Sequence, residues 1–212
     1  MVRFITVERE YGSGGGEFAS LLAQRLGWDL YDAKLVDAVA ERAGVPPEVA
    51  QAYDEQIDPW YFRYGRAFWY GSVERRSSAE EARFDSERFV ELVCETFRAT
   101  ADRGHCVIVG RGAMSALANV KGAFHIFVFA SMARKIKWFT ENFPEKAASA
   151  EDEVHATNER RAAYIRRFYG HEWNHVHLYH LLLNSCMGQE AMLGAALAAS
   201  GLLNSVPATT AR

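Results

Sequence analysis

A glycine-rich turn near the start of the chain has the composition of a phosphate-binding loop. It follows the β-forming run 3–7 and precedes an apolar helical pattern. A strand, turn and helix in this order direct several backbone N–H groups toward one point at the positive end of the helix dipole. We therefore predict that phosphate binds at the residues of this turn, namely Gly12, Ser13, Gly14, Gly15 and Gly16.

This turn lacks two side chains of an ordinary P-loop, G-x-x-x-x-G-K-[ST]. When Gly14 is aligned with the second glycine of the pattern, Gly15 replaces the lysine and Gly16 replaces the hydroxyl residue. That lysine contacts the outer phosphates, and the hydroxyl is a ligand of Mg²⁺. Another side chain must therefore supply positive charge, and Arg9, just before the turn, is the nearest candidate.

A second candidate cation, Arg111, lies between two glycines directly after the apolar run 106–109. Open α/β sheets bind ligands beyond the carboxyl ends of their strands. An arginine in such a turn can bind a phosphate through two parallel hydrogen bonds. Arg111 is therefore a candidate phosphate ligand, and a surface arginine in a turn is the alternative.

A charged helical segment at 151–169 carries further arginines, including Arg160, Arg161 and Arg167. Positions i and i+7 lie on nearly the same face of a helix, so we expect Arg160 and Arg167, together with Arg161, to reach one ligand. If this helix closed over a phosphoryl group, it would exclude water and neutralise the spread negative charge. A solvated helix face is the other interpretation.

Residues 171–175 match the zinc-binding pattern H-E-x-x-H. On a helix, this spacing would place two imidazoles on one face. However, Gly170 precedes the pattern and an apolar strand pattern begins soon after it, which leaves little room for a helix. We therefore expect no zinc site and interpret these histidines as surface or pocket-rim residues.

The candidate residues are distributed among alternating strand and helix patterns. Four nearly continuous apolar runs, typical of strands covered on both faces, occur at 4–7, 106–109, 124–129 and 179–183. Three amphipathic helical patterns accompany them, with apolar residues at helical spacing in 18–26, 35–43 and 89–97. This alternation predicts an α/β fold, a parallel sheet flanked by helices.

Composition predicts a single cytoplasmic domain over 1–212. Of the residues, 49% are hydrophobic, and 24 basic against 27 acidic residues give a net charge of -3, which excludes global attraction to nucleic acid or to an anionic membrane. The three cysteines are widely spaced, as in reduced cytoplasmic proteins, and no apolar run is long enough to cross a membrane. Residues 54–85 do not follow the alternation of strand and helix patterns, and we interpret them as an aromatic-rich helical insertion. Its aromatic side chains either line a base pocket or form the core of a helical hairpin.

Taken together, the motifs resemble the cytidylate kinase-like family, P-loop proteins related to the CMP kinases of the nucleoside monophosphate kinase group. The resemblance spans nearly the whole chain. It rests on the glycine-turn segment 5–15 and on 31–35, 106–112, 160–164, Gly170 with Trp173, and 179–185. It implies a P-loop kinase fold with a lid helix, and transfer of the ATP γ-phosphoryl group, with Mg²⁺, to a nucleoside monophosphate such as CMP.

The resemblance also implies roles for individual residues. The donor loop corresponds to the glycine turn with Ser13. Asp32 corresponds to a position that contacts the acceptor nucleotide, and Arg111 to one that binds the acceptor phosphate. Arg160 and Arg167 correspond to lid arginines that stabilise the transferring phosphoryl group.

Three positions depart from the related patterns and favour a second hypothesis. CMP kinases have an aspartate where this chain has Val109, and the kinase-like family commonly has an arginine where this chain has Gly16. Together with Gly15 in place of the lysine, these changes remove charges that handle phosphate and metal. The alternative to a kinase is therefore a nucleotide-binding or regulatory module with the kinase fold and little turnover.

Overall fold

A computed structural model describes residues 1–48, 50 and 86–205 of the chain. The predicted insertion at 54–85 lies outside the described residues. In the described part, the strands are β1 (Phe4–Arg9), β2 (Asp29–Tyr31), β3 (Cys106–Val109), β4 (Ala123–Phe129) and β5 (Leu181–Asn184). The helices are α1 (Gly15–Leu26), α2 (Ala33–Ala43), α3 (Ser86–Arg103), α4 (Ala113–Ala116), α5 (Met132–Asn142), α6 (Ala150–Tyr169) and α7 (Gln189–Ser200). Short 3₁₀ segments occur at Pro144–Ser149, Val176–Leu178, Ser185–Met187 and Leu203–Ser205.

The strands form one parallel sheet in the order β2-β3-β1-β4-β5. The central strand β1 is aligned with both neighbours, so that Val7 lies opposite Val109 on β3 and Arg9 lies opposite Val128 on β4. Parallel strands have their carboxyl ends at one edge of the sheet. The glycine turn after β1 and the Arg111 turn after β3 therefore lie side by side.

Helices cover both faces of this sheet, as the continuous apolar runs predicted. Ile5 and Val7 pack toward α1 and α7 in one buried cluster, whereas Phe4 packs toward α2 and α3 in the other. A third, smaller cluster consists of Tyr11, Phe139, Ala150 and Val154. It packs the start of α6 against α5 and the glycine turn, and so holds α6 above the site.

One strand was missed, and others differ in their bounds from the sequence prediction; β1, for example, extends to Arg9 instead of ending at Val7. β2 was missed, because its three residues, Asp29–Tyr31, are too few and too mixed in polarity to give a periodic signal. β5 begins at Leu181, two residues later than predicted, because Tyr179 turns its ring onto Phe127 and donates its hydroxyl to the Trp173 carbonyl (2.6 Å). Among the described residues, no helix combines the length and the apolarity that a membrane crossing requires.

Candidate phosphate-binding site

The glycine turn has the backbone conformation that its composition predicted. Gly12 and Gly14 both have φ of +77°, a region that favours glycine. Ser13 is buried, and its hydroxyl and backbone N–H both donate to the Glu10 carbonyl, at 2.8 and 3.2 Å. These two hydrogen bonds from Ser13 therefore stabilise the turn. Helix α1 begins at Gly15, so its first-turn N–H groups lie at the turn.

A partly buried ion pair connects the segment before the glycine turn to α5. The Lys135 ammonium lies 3.0 Å from Glu10 Oε2, which also accepts the Ala130 backbone N–H at 3.1 Å. The Lys135 backbone leaves little room at Gly12, where a Cβ would lie 3.1 Å from it. The pair thus fixes the glycine turn to the start of α5.

Arg9 extends from the glycine turn to the Arg111 turn. Its side chain is buried and packs so closely on Gly15 that a Cβ there would lie 2.5 Å from the Arg9 Cβ. Its guanidinium fills the space where a side chain at Gly110 would be. A side chain at either glycine would therefore clash with Arg9.

The turn that carries Arg111 is strained. Gly110, Arg111 and Gly112 have successive φ values of +69°, +56° and +77°, and a positive φ is uncommon for an arginine. Two hydroxyls from α6, those of Tyr164 and Tyr169, donate to the Arg111 carbonyl at 3.4 and 3.2 Å. Helix α6 therefore contacts this turn directly.

Arg111 and Asp32, the two predicted acceptor-binding residues, are brought together. Arg111 NH1 lies 3.2 Å from Asp32 Oδ1 and donates to the Asp32 carbonyl at the same distance. Asp32 directly precedes α2, and both side chains are largely buried. The pair orients the guanidinium at the carboxyl ends of β1 and β3.

From α6, Arg161 rather than Arg160 enters the site. Arg161 is buried, donates to the Arg9 carbonyl at 2.8 Å and lies over the Tyr11 ring. One turn earlier, Asn158 accepts the Tyr11 backbone N–H at 2.8 Å. A signal for this orientation exists in the sequence, because Val154, Arg161 and Ile165 share one face at helical spacing.

Arg160 and Arg167 lie on the exposed side of α6. Arg160 donates to the Thr157 hydroxyl at 2.8 Å, and the Arg167 guanidinium lies over the Phe168 ring. Neither side chain lines the site in this arrangement of α6. Their assignment as lid arginines remains a prediction from the resemblance.

Two adjoining pockets result from these contacts. The donor pocket, as we name it, is lined by Arg9, Glu10, Tyr11, Gly12, Gly14, Gly15, Gly16, Glu17, Trp138 and Arg161. The arginine pocket is lined by Glu8, Arg9, Arg111, Arg161, Tyr164, Ile165 and Trp173. Arg9 and Arg161 line both pockets, so the two cavities share a pair of cations.

Sequence reasoning assigned no role to Glu8, although it is buried in the arginine pocket. Its Oε1 accepts the Gly112 backbone N–H at 3.2 Å, and its Oε2 accepts the Trp173 indole N–H at 3.1 Å. Burial raises the pKa of Glu8, and this effect is opposed by the charge of Arg9, the hydrogen bond from Trp173 and the charge of Arg161. No local pattern marks such a residue, because its partners are distant in sequence.

The H-E-x-x-H segment forms turns rather than a helix, as its context predicted. Helix α6 ends at Tyr169, and Glu172 pairs with Arg166 at 2.8 Å on the surface. In the part of the chain that the structure describes, no three histidine, cysteine, aspartate or glutamate residues are grouped as a metal site.

Sequence comparison identifies the family. The profile of the cytidylate kinase-like family matches residues 4–186. The chain belongs to the cytidylate kinase-like family. The resemblance inferred from the motifs is thereby confirmed. Among curated proteins, none matches this chain significantly.

Solved structures support the P-loop kinase fold. The chain is similar to an uncharacterized protein from Eubacterium ventriosum, with 16% identity and a TM-score of 0.61 over 92% of this chain and 98% of that one. It is also similar to the shikimate kinase from Bacteroides thetaiotaomicron, with 15% identity and a TM-score of 0.52 over 95% and 98%. A third similar structure is the shikimate kinase from Acinetobacter baumannii in complex with shikimate, with 13% identity and a TM-score of 0.50 over 96% and 95%. The predicted kinase fold, a parallel sheet flanked by helices, is confirmed.

Proposed function

We propose that this protein is a nucleotide kinase that transfers the γ-phosphoryl group of ATP to a nucleoside monophosphate such as CMP. One observation carries the proposal: two adjoining pockets share the cations Arg9 and Arg161. A phosphoryl transferase needs this arrangement, because a donor and an acceptor phosphate must meet where their repulsion is neutralised.

The donor pocket supplies the ATP side. Its glycines allow backbone N–H groups at the start of α1 to approach phosphate closely, and the helix dipole favours negative charge there. The lysine of an ordinary P-loop is replaced by Gly15, and the Arg9 side chain packs directly on that glycine. Arg9 therefore takes over the role of a cation beside the donor phosphates.

The arginine pocket supplies the acceptor side. Arg111 binds the acceptor phosphate with a guanidinium that Asp32 orients before the substrate arrives. The carboxylate of Asp32 also places a hydrogen-bond acceptor near the entering nucleotide. These roles follow the family resemblance, and the 3.2 Å contact between the two residues supports them.

The transfer itself requires little covalent chemistry from the protein. An oxygen of the acceptor phosphate attacks the γ-phosphorus in line, the bond from that phosphorus to the bridging oxygen of ADP breaks, and the products are ADP and a nucleoside diphosphate. The acceptor is already ionised, so no side-chain base is needed. Arg9 and Arg161, which line both pockets, stabilise the charge of the transferring group.

Arg161 is the lid arginine that the geometry favours. It is buried between Tyr11 and the Arg9 carbonyl, whereas Arg160 and Arg167 are exposed. By resemblance, Arg160 and Arg167 are expected to act when α6 moves. A comparison of single variants separates these two assignments.

The residues present fit Mg²⁺ as a companion of ATP. Mg²⁺ commonly uses one or two carboxylates together with substrate phosphates, and Glu10 and Glu17 line the donor pocket. Glu17 would hold the ion, which would supply charge neutralisation on the phosphates, whereas Glu10 Oε2 is already engaged by the Lys135 ammonium and the Ala130 N–H. Glu8 does not fit this role, because both of its oxygens accept N–H donors.

A cytoplasmic location completes the proposal. Cys94, Cys106 and Cys186 are free thiols, which fits the reducing compartment where ATP and nucleoside monophosphates are available. Small nucleotides, rather than nucleic acid, are the expected partners.

The decisive experiment incubates the purified protein with ATP, Mg²⁺ and each nucleoside monophosphate, followed by nucleotide chromatography. The proposal predicts a nucleoside diphosphate and ADP in equal amounts. The Arg111→Ala variant lacks the proposed ligand of the acceptor phosphate, and it should form much less nucleoside diphosphate than the wild type at low acceptor concentration.

The second candidate is the nucleotide-binding module with little turnover, which Gly15, Gly16 and Val109 favour. ATP binding measured by calorimetry, without diphosphate from any acceptor, would support that module and refute the kinase.

A further inference from the structure

The carboxylate of Glu8 joins two segments that are far apart in sequence. One oxygen accepts the backbone N–H of Gly112, in the turn of Arg111. The other accepts the indole N–H of Trp173, in the segment after α6. Glu8 itself lies on β1, which is hydrogen-bonded to strands on both sides and therefore cannot easily shift.

The Arg111 turn needs such support. Its three residues all have positive φ, and the middle one is not a glycine, so the isolated turn is conformationally unfavourable. Gly110 donates its N–H to the Val7 carbonyl at 3.0 Å, which holds the start of the turn. The hydrogen bond from Gly112 to Glu8 holds its end.

Trp173 is a rigid anchor for the other oxygen. Its ring is buried and packs edge-on against Phe127, with 5.3 Å between ring centroids. Its carbonyl accepts the hydroxyl of Tyr179 at 2.6 Å. Because Phe127 packs on the ring and Tyr179 holds the backbone of the same residue, the indole N–H is held in place toward the carboxylate.

We infer that Glu8 is a positioning residue for Arg111, which ties the Arg111 turn to Trp173 and so presents the guanidinium to the acceptor phosphate. This inference rests on the proposed function for its substrate, but the geometric part concerns the turn alone. Glu8 acts through Gly112 and is distinct from the groups that touch the reacting atoms.

The Glu8→Gln variant tests the inference with little change in shape. A glutamine keeps one oxygen acceptor and turns an NH₂ group toward the second N–H donor, so one of the two hydrogen bonds is lost. We expect the Kd and the KM for CMP to rise about 10-fold, a larger change than in the Kd for ATP or in kcat. Glu159→Gln, exposed on α6 and outside both pockets, is the matched control and should leave all four values unchanged.

Trp173→Phe provides an independent variant, because it removes the other donor and keeps an aromatic ring against Phe127. We expect it to raise the Kd for CMP in the same way. The double variant of Glu8→Gln and Trp173→Phe should be no worse than the worse single variant, since both changes break one bridge. If the increases in the Kd for CMP were additive in the double variant, the proposal that Glu8 connects Gly112 and Trp173 in one unit would be wrong.

A third measurement does not depend on nucleotide. Hydrogen exchange of a peptide that covers 106–117 should be faster in Glu8→Gln than in Glu159→Gln, because the Gly112 N–H either loses its acceptor or exchanges a carboxylate for a neutral amide oxygen, which accepts a weaker hydrogen bond. Unchanged exchange together with an unchanged CMP Kd overturns the inference. If the wild-type protein binds no nucleoside monophosphate while exchange still responds to Glu8→Gln, the proposed function fails and the positioning role stands.

Discussion

The buried histidine His125 should make the stability of this protein depend on pH in a defined window. His125 lies on β4 opposite Thr6, whose hydroxyl is 2.7 Å from its Nδ1. The ring of His180 lies beside it, with 5.1 Å between centroids. Burial, reinforced by the charge of His180, lowers the pKa of His125 from 6.5 to about 4.

The sign of the effect follows from proton binding. The folded protein keeps His125 neutral down to about pH 4, whereas the unfolded chain takes up a proton near pH 6.5. The free energy of unfolding is therefore unaffected above pH 6.5 and falls as the pH drops toward 4. The full loss corresponds to about 3 kcal/mol, of which about 2 kcal/mol develops between pH 7.5 and pH 5.

Urea denaturation of wild type and His125→Gln, at about pH 7.5 and about pH 5, measures this contribution. Glutamine does not titrate, so the wild type should lose about 2 kcal/mol more than the variant across this interval. His177→Gln, at an exposed histidine, is the control and should retain the wild-type pH dependence. If the free energy of unfolding falls equally in wild type and His125→Gln between these pH values, the conclusion that His125 is neutral in the folded protein is wrong.

Three further predictions concern the site. Arg111→Ala should raise the acceptor KM about 10- to 100-fold with a smaller effect on kcat, and steady-state kinetics with CMP as the varied substrate checks this. Arg161→Ala should lower kcat about 100-fold or more, whereas Arg167→Ala should change kcat less than about 3-fold; the opposite order would favour the assignment from the resemblance. Gly112→Ala should destabilise the protein by about 2–4 kcal/mol in urea denaturation, because its Cβ would enter the Tyr169 ring at a φ of +77°. Gly201→Ala, with φ of +71° and open space around it, should lose only about 1 kcal/mol from backbone strain.

Local patterns predicted the fold well, because they report on burial within single elements. The runs at 4–7 and 106–109 are strands, and both faces of the sheet are covered. The three-residue strand Asp29–Tyr31 gave no signal, since its burial is only partial and it pairs with β3 alone.

The site was only partly predictable, because its contacts join residues distant in sequence. Arg9 could be selected because it precedes a glycine turn that lacks the lysine, and Arg111 because two glycines flank it, and the structure brings both to one pocket. On α6, by contrast, the spacing of the arginines alone does not show which face of the helix is buried. The apolar positions Val154 and Ile165 show it, and Arg161 shares their face. Glu8 had no local signal at all, since its role depends on Gly112 and Trp173.

Three consecutive residues, Glu8 and Arg9 at the end of β1 and Glu10 directly after it, have a consequence for how such a kinase can vary. Glu8 is tied to the acceptor-side turn, Arg9 spans both pockets, and Glu10 is tied to α5 beneath the glycine turn. A strand advances about 3.3 Å per residue, so under the proposed function about 7 Å of one backbone connects the residue that supports the acceptor-side turn with the residue that supports the glycine turn. The flanking helices can lengthen, shorten or change partners without altering that distance, whereas one inserted residue in β1 would separate donor from acceptor. Under the proposed function, substrate choice can therefore diverge in the flanking helices while the distance between the two supported turns stays constant.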